Sequence, residues 1–330
     1  MKIKNEDIIA VRKTGNNFKV SWKMTNWCNY RCKYCYMANE VSKGNNHTPI
    51  ETVIKIASKI DEIIEKQAKG RKVLLHLIGG EIGQYDLIEV IKQIKHPLLR
   101  RIIFVTNFSN SLEYWNEIID YCKSRNITPR IIASFHLEQC DEIEFVEKCL
   151  KIKPKVKCVI SSENINQFKP YLDILKQHKI RIEATIKRDE ENKCEQLKGD
   201  NLKYVDELND ELRKTSATYY EVEMRDGTII PFFANIEFIN SIDLGGFDSE
   251  GFLCTAGIDG IRIRPDGGLQ RAGCKMAFLH GRLGSILGEY ELPTEPLVCT
   301  SKYIDNDGIE KIKYCTCFGN TTMTRIKNDK

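Results

Sequence analysis

The chain has 330 residues, 50 basic and 46 acidic, and a formal net charge of +4, an imbalance too small to mark a nucleic-acid binder. It has no run of about 20 apolar residues, which excludes a transmembrane helix. The opening MKIKNEDIIAVRK places acidic residues where a signal peptide would carry its apolar core. A cytoplasmic chain is expected, whose 13 cysteines stay reduced and read as metal ligands or redox groups rather than disulfides.

From residue 17 to 187 short runs rich in β-branched residues alternate with amphipathic stretches. Strands are predicted at 18–24, 72–78, 100–106, 129–135, 155–161 and 180–186. A helix is predicted over TPIETVIKIASKIDEIIEKQ, with Thr48 as N-cap and Pro49 at its first position. Helical patterns follow at DLIEVIKQI, LEYWNEIIDYCKS, DEIEFVEKCLK and FKPYLDILKQHK. Six β/α units imply a parallel sheet, either an open barrel or a doubly wound sheet. The first part of the charged stretch after 187 reads as a linker or a solvated helix. Two hairpins then turn at Asp226–Gly227 and at Pro265–Gly268.

Cys122, Cys149 and Cys158 fall inside apolar patterns and are expected to behave as small hydrophobes. Two other groups are clustered. Cys28, Cys32 and Cys35 stand in WCNYRCKYCYM, directly after the first predicted strand. Zinc would want a fourth ligand, and the nearest histidine is His47. Three thiolates also hold a [4Fe–4S] cluster with one iron left open to a small molecule. In the tail, Cys254 and Cys274 bracket the second hairpin, Cys315 and Cys317 follow, and Cys299 lies between. Four such thiolates suit zinc or a second iron–sulfur cluster.

The first group resembles the signature of the radical S-adenosylmethionine (SAM) superfamily, Cys-x3-Cys-x-aromatic-Cys, with Tyr34 as the aromatic. The resemblance implies a partial (β/α)6 TIM-type barrel over residues 1–190, a linker and hairpin over 191–235, and a small C-terminal iron–sulfur extension over 236–330. It further implies a cluster on Cys28, Cys32 and Cys35 that chelates SAM and cleaves it reductively to a 5′-deoxyadenosyl radical. Gly79, Gly80 and Glu81 match a Gly-Gly-Glu element that meets the SAM amino group. Asn107, Ser134, His136 and Asn164, at the ends of later strands, are further candidates for the cofactor site. Arg181 or Lys187 would balance a carboxylate. The tail resembles SPASM and Twitch extensions, which implies one auxiliary [4Fe–4S] cluster on Cys254, Cys274, Cys315 and Cys317.

The function implied is modification of a peptide or protein side chain: a crosslink, an oxidation or an epimerised centre, the last with Cys299 or Cys140 as hydrogen donor. The alternatives are oxidation or rearrangement of a small metabolite such as a sugar or cyclitol, and a zinc-containing binding protein on a decayed barrel. The partners expected are an electron donor such as flavodoxin or ferredoxin and a separate leader-peptide-binding protein. The roughly 16 residues before the first predicted strand are too few to build a leader-binding domain. Neither nucleic acid nor membrane is expected as a partner.

Overall fold

A computed structural model describes residues 3–35, 47–187, 195–215, 220–232, 250–271, 282–300, 302–304, 310–312 and 324–327. Strands β1 (Ile8–Lys13) and β2 (Asn17–Lys23) open the chain. Then β3 (Lys72–Ile78), β4 (Leu99–Thr106), β5 (Thr128–Phe135), β6 (Lys155–Ile160) and β7 (Ile182–Ile186) alternate with helices α1 (Ile50–Gln67), α2 (Leu87–Lys92), α3 (Leu112–Ser124), α4 (Glu142–Ile152) and α5 (Ile165–Gln177). Helix α6 (Gly199–Thr215) follows β7. The tail supplies β8 (Tyr220–Met224), β9 (Ile229–Phe232), β10 (Phe252–Cys254), β11 (Gly260–Ile263), β12 (Gly268–Arg271) and β13 (Arg282–Ser285). The last described strands are β14 (Leu297–Val298), β15 (Lys302–Ile304), β16 (Glu310–Ile312) and β17 (Arg325–Lys327).

Strands β2 to β7 pair in parallel and in chain order. An order without reversal, joined by right-handed crossovers, puts every connecting helix on the same side. A doubly wound sheet needs a reversal and is not what forms. Burial agrees. Phe18, Val20 and Trp22 on β2, Val73, Leu75 and Leu77 on β3, and Val156, Cys158 and Ile160 on β6 join the helices in one apolar core. Residues of the other parity, Lys19, His76, Arg101 and Lys157 among them, lie on the face the helices leave uncovered. The described sheet stays open.

Local signals account for most boundaries. The side chains of Asp86, Ser111 and Asp141 accept from the first backbone N–H groups of α2, α3 and α4. Helix α1 differs from its sequence reading. It starts at Ile50 with Pro49 as its cap and no side-chain cap; Thr48 lies outside, where its carbonyl accepts from the Tyr85 hydroxyl at 2.9 Å. The later part of the charged stretch, from Gly199, forms α6 because Val205, Leu208 and Leu212 make a buried stripe.

Sheet membership crosses the sequence segments. Hairpin β11–β12 docks on β2, with β11 parallel to it, and extends the main sheet. A second, antiparallel sheet runs β14-β10-β17-β1-β8-β9. Its own core holds Ile8, Val11, Tyr220, Val222, Phe232, Phe252 and Cys254. A buried cluster ties the sheets together: Asp259 takes Lys13 at 2.8 Å and Arg71 at 2.7 Å. Gln67 donates to the carbonyls of Gly257 and Pro293, each at 2.8 Å. No helix among the described residues is long and apolar enough to cross a membrane.

Candidate functional site

Beyond β2 the chain runs across the C-terminal ends of its parallel neighbours, the end at which parallel β/α folds place their chemistry. The Met24 N–H donates to the Ile78 carbonyl at 2.8 Å, that of Gly80 to Thr25 at 3.0 Å, and that of Glu81 to Trp27 at 2.9 Å. The glycines permit this approach. A Cβ on Gly80 would stand 2.0 Å from the Trp27 carbonyl oxygen, and one on Gly79 2.9 Å from that of Thr25. The backbone that Gly79 and Gly80 admit is therefore that of the cysteine loop.

Glu81 is 1% exposed. Its Oε1 accepts from the Gly83 N–H at 2.7 Å and the Thr106 hydroxyl at 2.7 Å, and its Oε2 from the Asn107 N–H at 2.6 Å. The sequence reading gives this carboxylate to an ammonium; in the structure its partners are the ends of β3 and β4, which it clamps together. Burial pushes its carboxyl above the ordinary range, and these donors pull the other way. Asn107, also buried, donates from Nδ2 to Asn29 Oδ1 at 2.7 Å and lies 3.9 Å from the Cys28 sulfur.

Cys32 is buried, and Cys28 and Cys35 are half-buried. Burial first, then the nearness of Cys28 and Cys35, pushes the Cys32 thiol up to about 12. The Cys28 thiol is raised by burial, against a 3.4 Å hydrogen bond from the Tyr30 N–H, with Glu81 and Cys35 adding to the rise. The three thiols thus share one electrostatic neighbourhood, in which Cys35 opposes ionisation of both Cys28 and Cys32. His136 closes the group from the end of β5. Its Nδ1 lies 2.9 Å from the Tyr34 hydroxyl and 3.4 Å from the Cys32 sulfur. Its ring stacks on Tyr34 and meets Tyr30 edge-on. Burial lowers it to about 4, so the imidazole is neutral at neutral pH.

The other candidates are more scattered. Ser134 sits on the uncovered face of β5, in register with Lys157. Asn164 is absorbed locally: its Oδ1 accepts from Ser161 N–H at 2.8 Å and its Nδ2 donates to the Val159 carbonyl at 3.1 Å, fixing the turn into α5. Cys122, Cys149 and Cys158 are buried in the core. Cys254 is buried in the second sheet, opposite Leu297, and the Cys299 N–H donates to the Phe252 carbonyl on the neighbouring strand. Cys274, Cys315 and Cys317 lie outside the described residues. Among the described residues no group of three or more His, Cys, Asp or Glu converges as the ligands of a single metal ion would.

Several positioning residues escape a reading of the sequence. Asn29 donates to the Ser109 hydroxyl at 3.1 Å, and the Arg31 N–H donates to Gln139 Oε1 at 3.0 Å. Thr106 and Asn107 together form the Thr-Asn pair of VTNFS, and only Asn107 was singled out there.

No protein-family profile matches the sequence, and no curated protein matches it. Among solved structures, native anSMEcpe with bound AdoMet is similar at 16% identity and a TM-score of 0.47, covering 82% of this chain and 78% of that one.

Proposed function

We propose that this chain is a radical SAM enzyme on a partial (β/α)6 barrel. One observation carries the reading. The Cys28, Cys32 and Cys35 loop, with the aromatic Tyr34 in its place, is held at the C-terminal ends of β3, β4 and β5 by Gly80, Glu81, Asn107 and Gln139. The donor set suits a [4Fe–4S] cluster: three thiols in one neighbourhood and a backbone N–H already directed at Cys28. When bound, the cluster supplies the electron that splits SAM into methionine and a 5′-deoxyadenosyl radical.

The chain's own residues prepare that site. Cys28, Cys32 and Cys35 would hold the cluster and leave one iron for SAM. Burial disfavours the free thiolates of Cys28 and Cys32, so loading is coupled to loss of their protons. Glu81 and Asn107 fix the loop from below. Tyr34 and neutral His136 wall off the side of Cys32. We read the substrate as a peptide or protein side chain, the tail as carrier of one auxiliary [4Fe–4S] cluster that includes Cys254, and the electron donor as a flavodoxin or ferredoxin of the cytoplasm.

Anaerobic reconstitution with iron and sulfide, followed by EPR and by SAM with dithionite, tests this. Wild type should give a cluster signal that SAM perturbs and should release 5′-deoxyadenosine, and Cys32→Ala should release none. A reconstituted wild type that leaves SAM intact would refute the proposal.

A further inference from the structure

Strands β2 to β7 carry a single acidic residue, Glu183. On the face away from the helices, Glu183 is already held by Lys155 and, at 2.9 Å, by Lys157. Three arginines gather on the same face. Arg101 and Arg130 alternate with the core positions of β4 and β5, and Arg181 immediately precedes β7. They are close enough that, after burial, Arg101 and Arg181 both depress the Arg130 guanidinium. No carboxylate among the described residues lies within ion-pair distance of any of the three. Guanidinium cannot shed its charge, so such a group keeps its mutual repulsion until an anion arrives.

A second observation points the same way. His76, in the middle of β3 on this face, has both ring nitrogens shielded from solvent and without a hydrogen-bond partner. Burial, then Lys19, Lys157 and Arg262, keeps it neutral. Ser21 Oγ and Arg101 Nε are shielded and unpartnered likewise, and Ser21 lies directly opposite His76 in register. Buried polar groups in natural folds usually have partners; here three residues with orphaned atoms lie on one cationic face.

We infer that this face is the substrate's anion subsite: it binds carboxylate or phosphate oxygens between Arg101, Arg130 and Arg181, toward the N-terminal ends of the strands. The inference rests on the function proposed above and names the chemistry of the substrate. Arg101 precedes the end of β4 at Thr106, Arg130 the end of β5 at Phe135, and Arg181 the end of β7 at Ile186, each by five residues. At roughly 3.3 Å per residue the anion lies about 16 Å from the cysteine end. In an extended peptide that separates the anionic group from the reacting residue by about five positions.

Isothermal titration of the whole, folded chain with tetraglutamate and separately with inorganic pyrophosphate tests this at low salt. Wild type should bind at least one probe; tetraglutamate alone assigns a carboxylate, pyrophosphate alone a phosphate. The Arg130→Gln/Arg181→Gln double variant should weaken binding at least tenfold, and Lys123→Gln, on the outer surface of α3, should not change it. Wild-type binding should also weaken steadily with added salt, a readout that stands even where the double variant does not fold. Binding of neither probe, unchanged binding by the folded double variant, or salt-independent binding would overturn the inference. Release of 5′-deoxyadenosine without substrate is followed in parallel. Its loss with anion binding intact defeats the functional proposal alone, and its presence without anion binding defeats this inference alone.

Discussion

The contact between Gly80 and the cysteine loop gives a graded test by Gly80→Ala. The new Cβ would lie 2.0 Å from the Trp27 oxygen and 2.4 Å from its carbon, where ordinary contact begins at 3.4 Å. The loop must retreat by the difference, 3.4 − 2.0 = 1.4 Å. The hydrogen bonds from Gly80 to Thr25 and from Glu81 to Trp27, now 3.0 and 2.9 Å, do not survive that retreat. Two lost bonds cost about 2 kcal/mol, and buried groups left unpaired add about 1–3 kcal/mol, so about 3–5 kcal/mol is expected. Gly79→Ala needs only 3.4 − 2.9 = 0.5 Å and should cost about 1 kcal/mol. Gly70→Ala meets nothing within 4 Å and reports the strain of its positive φ alone. Urea midpoints should fall in that order of clash, and iron retained after reconstitution should fall most for Gly80→Ala. A Gly80→Ala protein with the wild-type midpoint and full iron would refute the reasoning.

Other consequences are as concrete. Asp259→Ala strands two buried cations, Lys13 and Arg71, and should cost about 3–5 kcal/mol by urea unfolding. Burial opposes the charge of Glu183, but Lys157 and Lys155 override it and hold its carboxyl at about 2 against an ordinary 4.5. The stability it confers is therefore present above pH 4.5 and is lost as pH falls toward 2. Because burial of Lys155 offsets part of that gain, Glu183→Gln should remove about 1–3 kcal/mol at neutral pH and flatten the acid limb of a stability–pH curve. Lys19 runs the other way. Burial, then Lys157, lowers it from 10.5 to about 8, so its penalty is full below pH 8 and fades by pH 10.5. Lys19→Met should gain up to about 3 kcal/mol at pH 7 and abolish the rise in stability between pH 8 and 10.5.

Local physics made much of this molecule legible in its sequence. The run KVLLHLI alternates cleanly and is β3 to the residue, and RRIIFVT is β4 with one more residue at its start. Asp226–Gly227 and Pro265–Gly268 turn where turn chemistry requires. What stayed hidden depends on residues far apart in the chain. IIAVRK is as strand-like as its neighbours, but its partners are β8 and β17, the latter more than 300 positions away. The GGE run is legible in the sequence as an element that meets a ligand; that its glycines admit the backbone of Thr25–Trp27, and that Glu81 serves Thr106 and Asn107, emerges only once β2, β3 and β4 are adjacent. Likewise each basic residue of the uncovered face is ordinary alone, and their gathering follows from parallel register.

The docking of β11 on β2 also sets a timetable. β2 finds β3 soon after synthesis, but its other edge has no partner until Gly260–Ile263 has been made. That strand begins 260 − 23 = 237 residues after β2 ends, or roughly 12–47 s at about 5–20 residues per second. Through that interval the strand that leads into Cys28 presents a bare hydrogen-bonding edge on the growing chain. The parent strand of the cysteine loop is thus enclosed on both sides only after most of the protein exists, and its open edge is the place where a nascent chain is most exposed to pairing with a wrong strand.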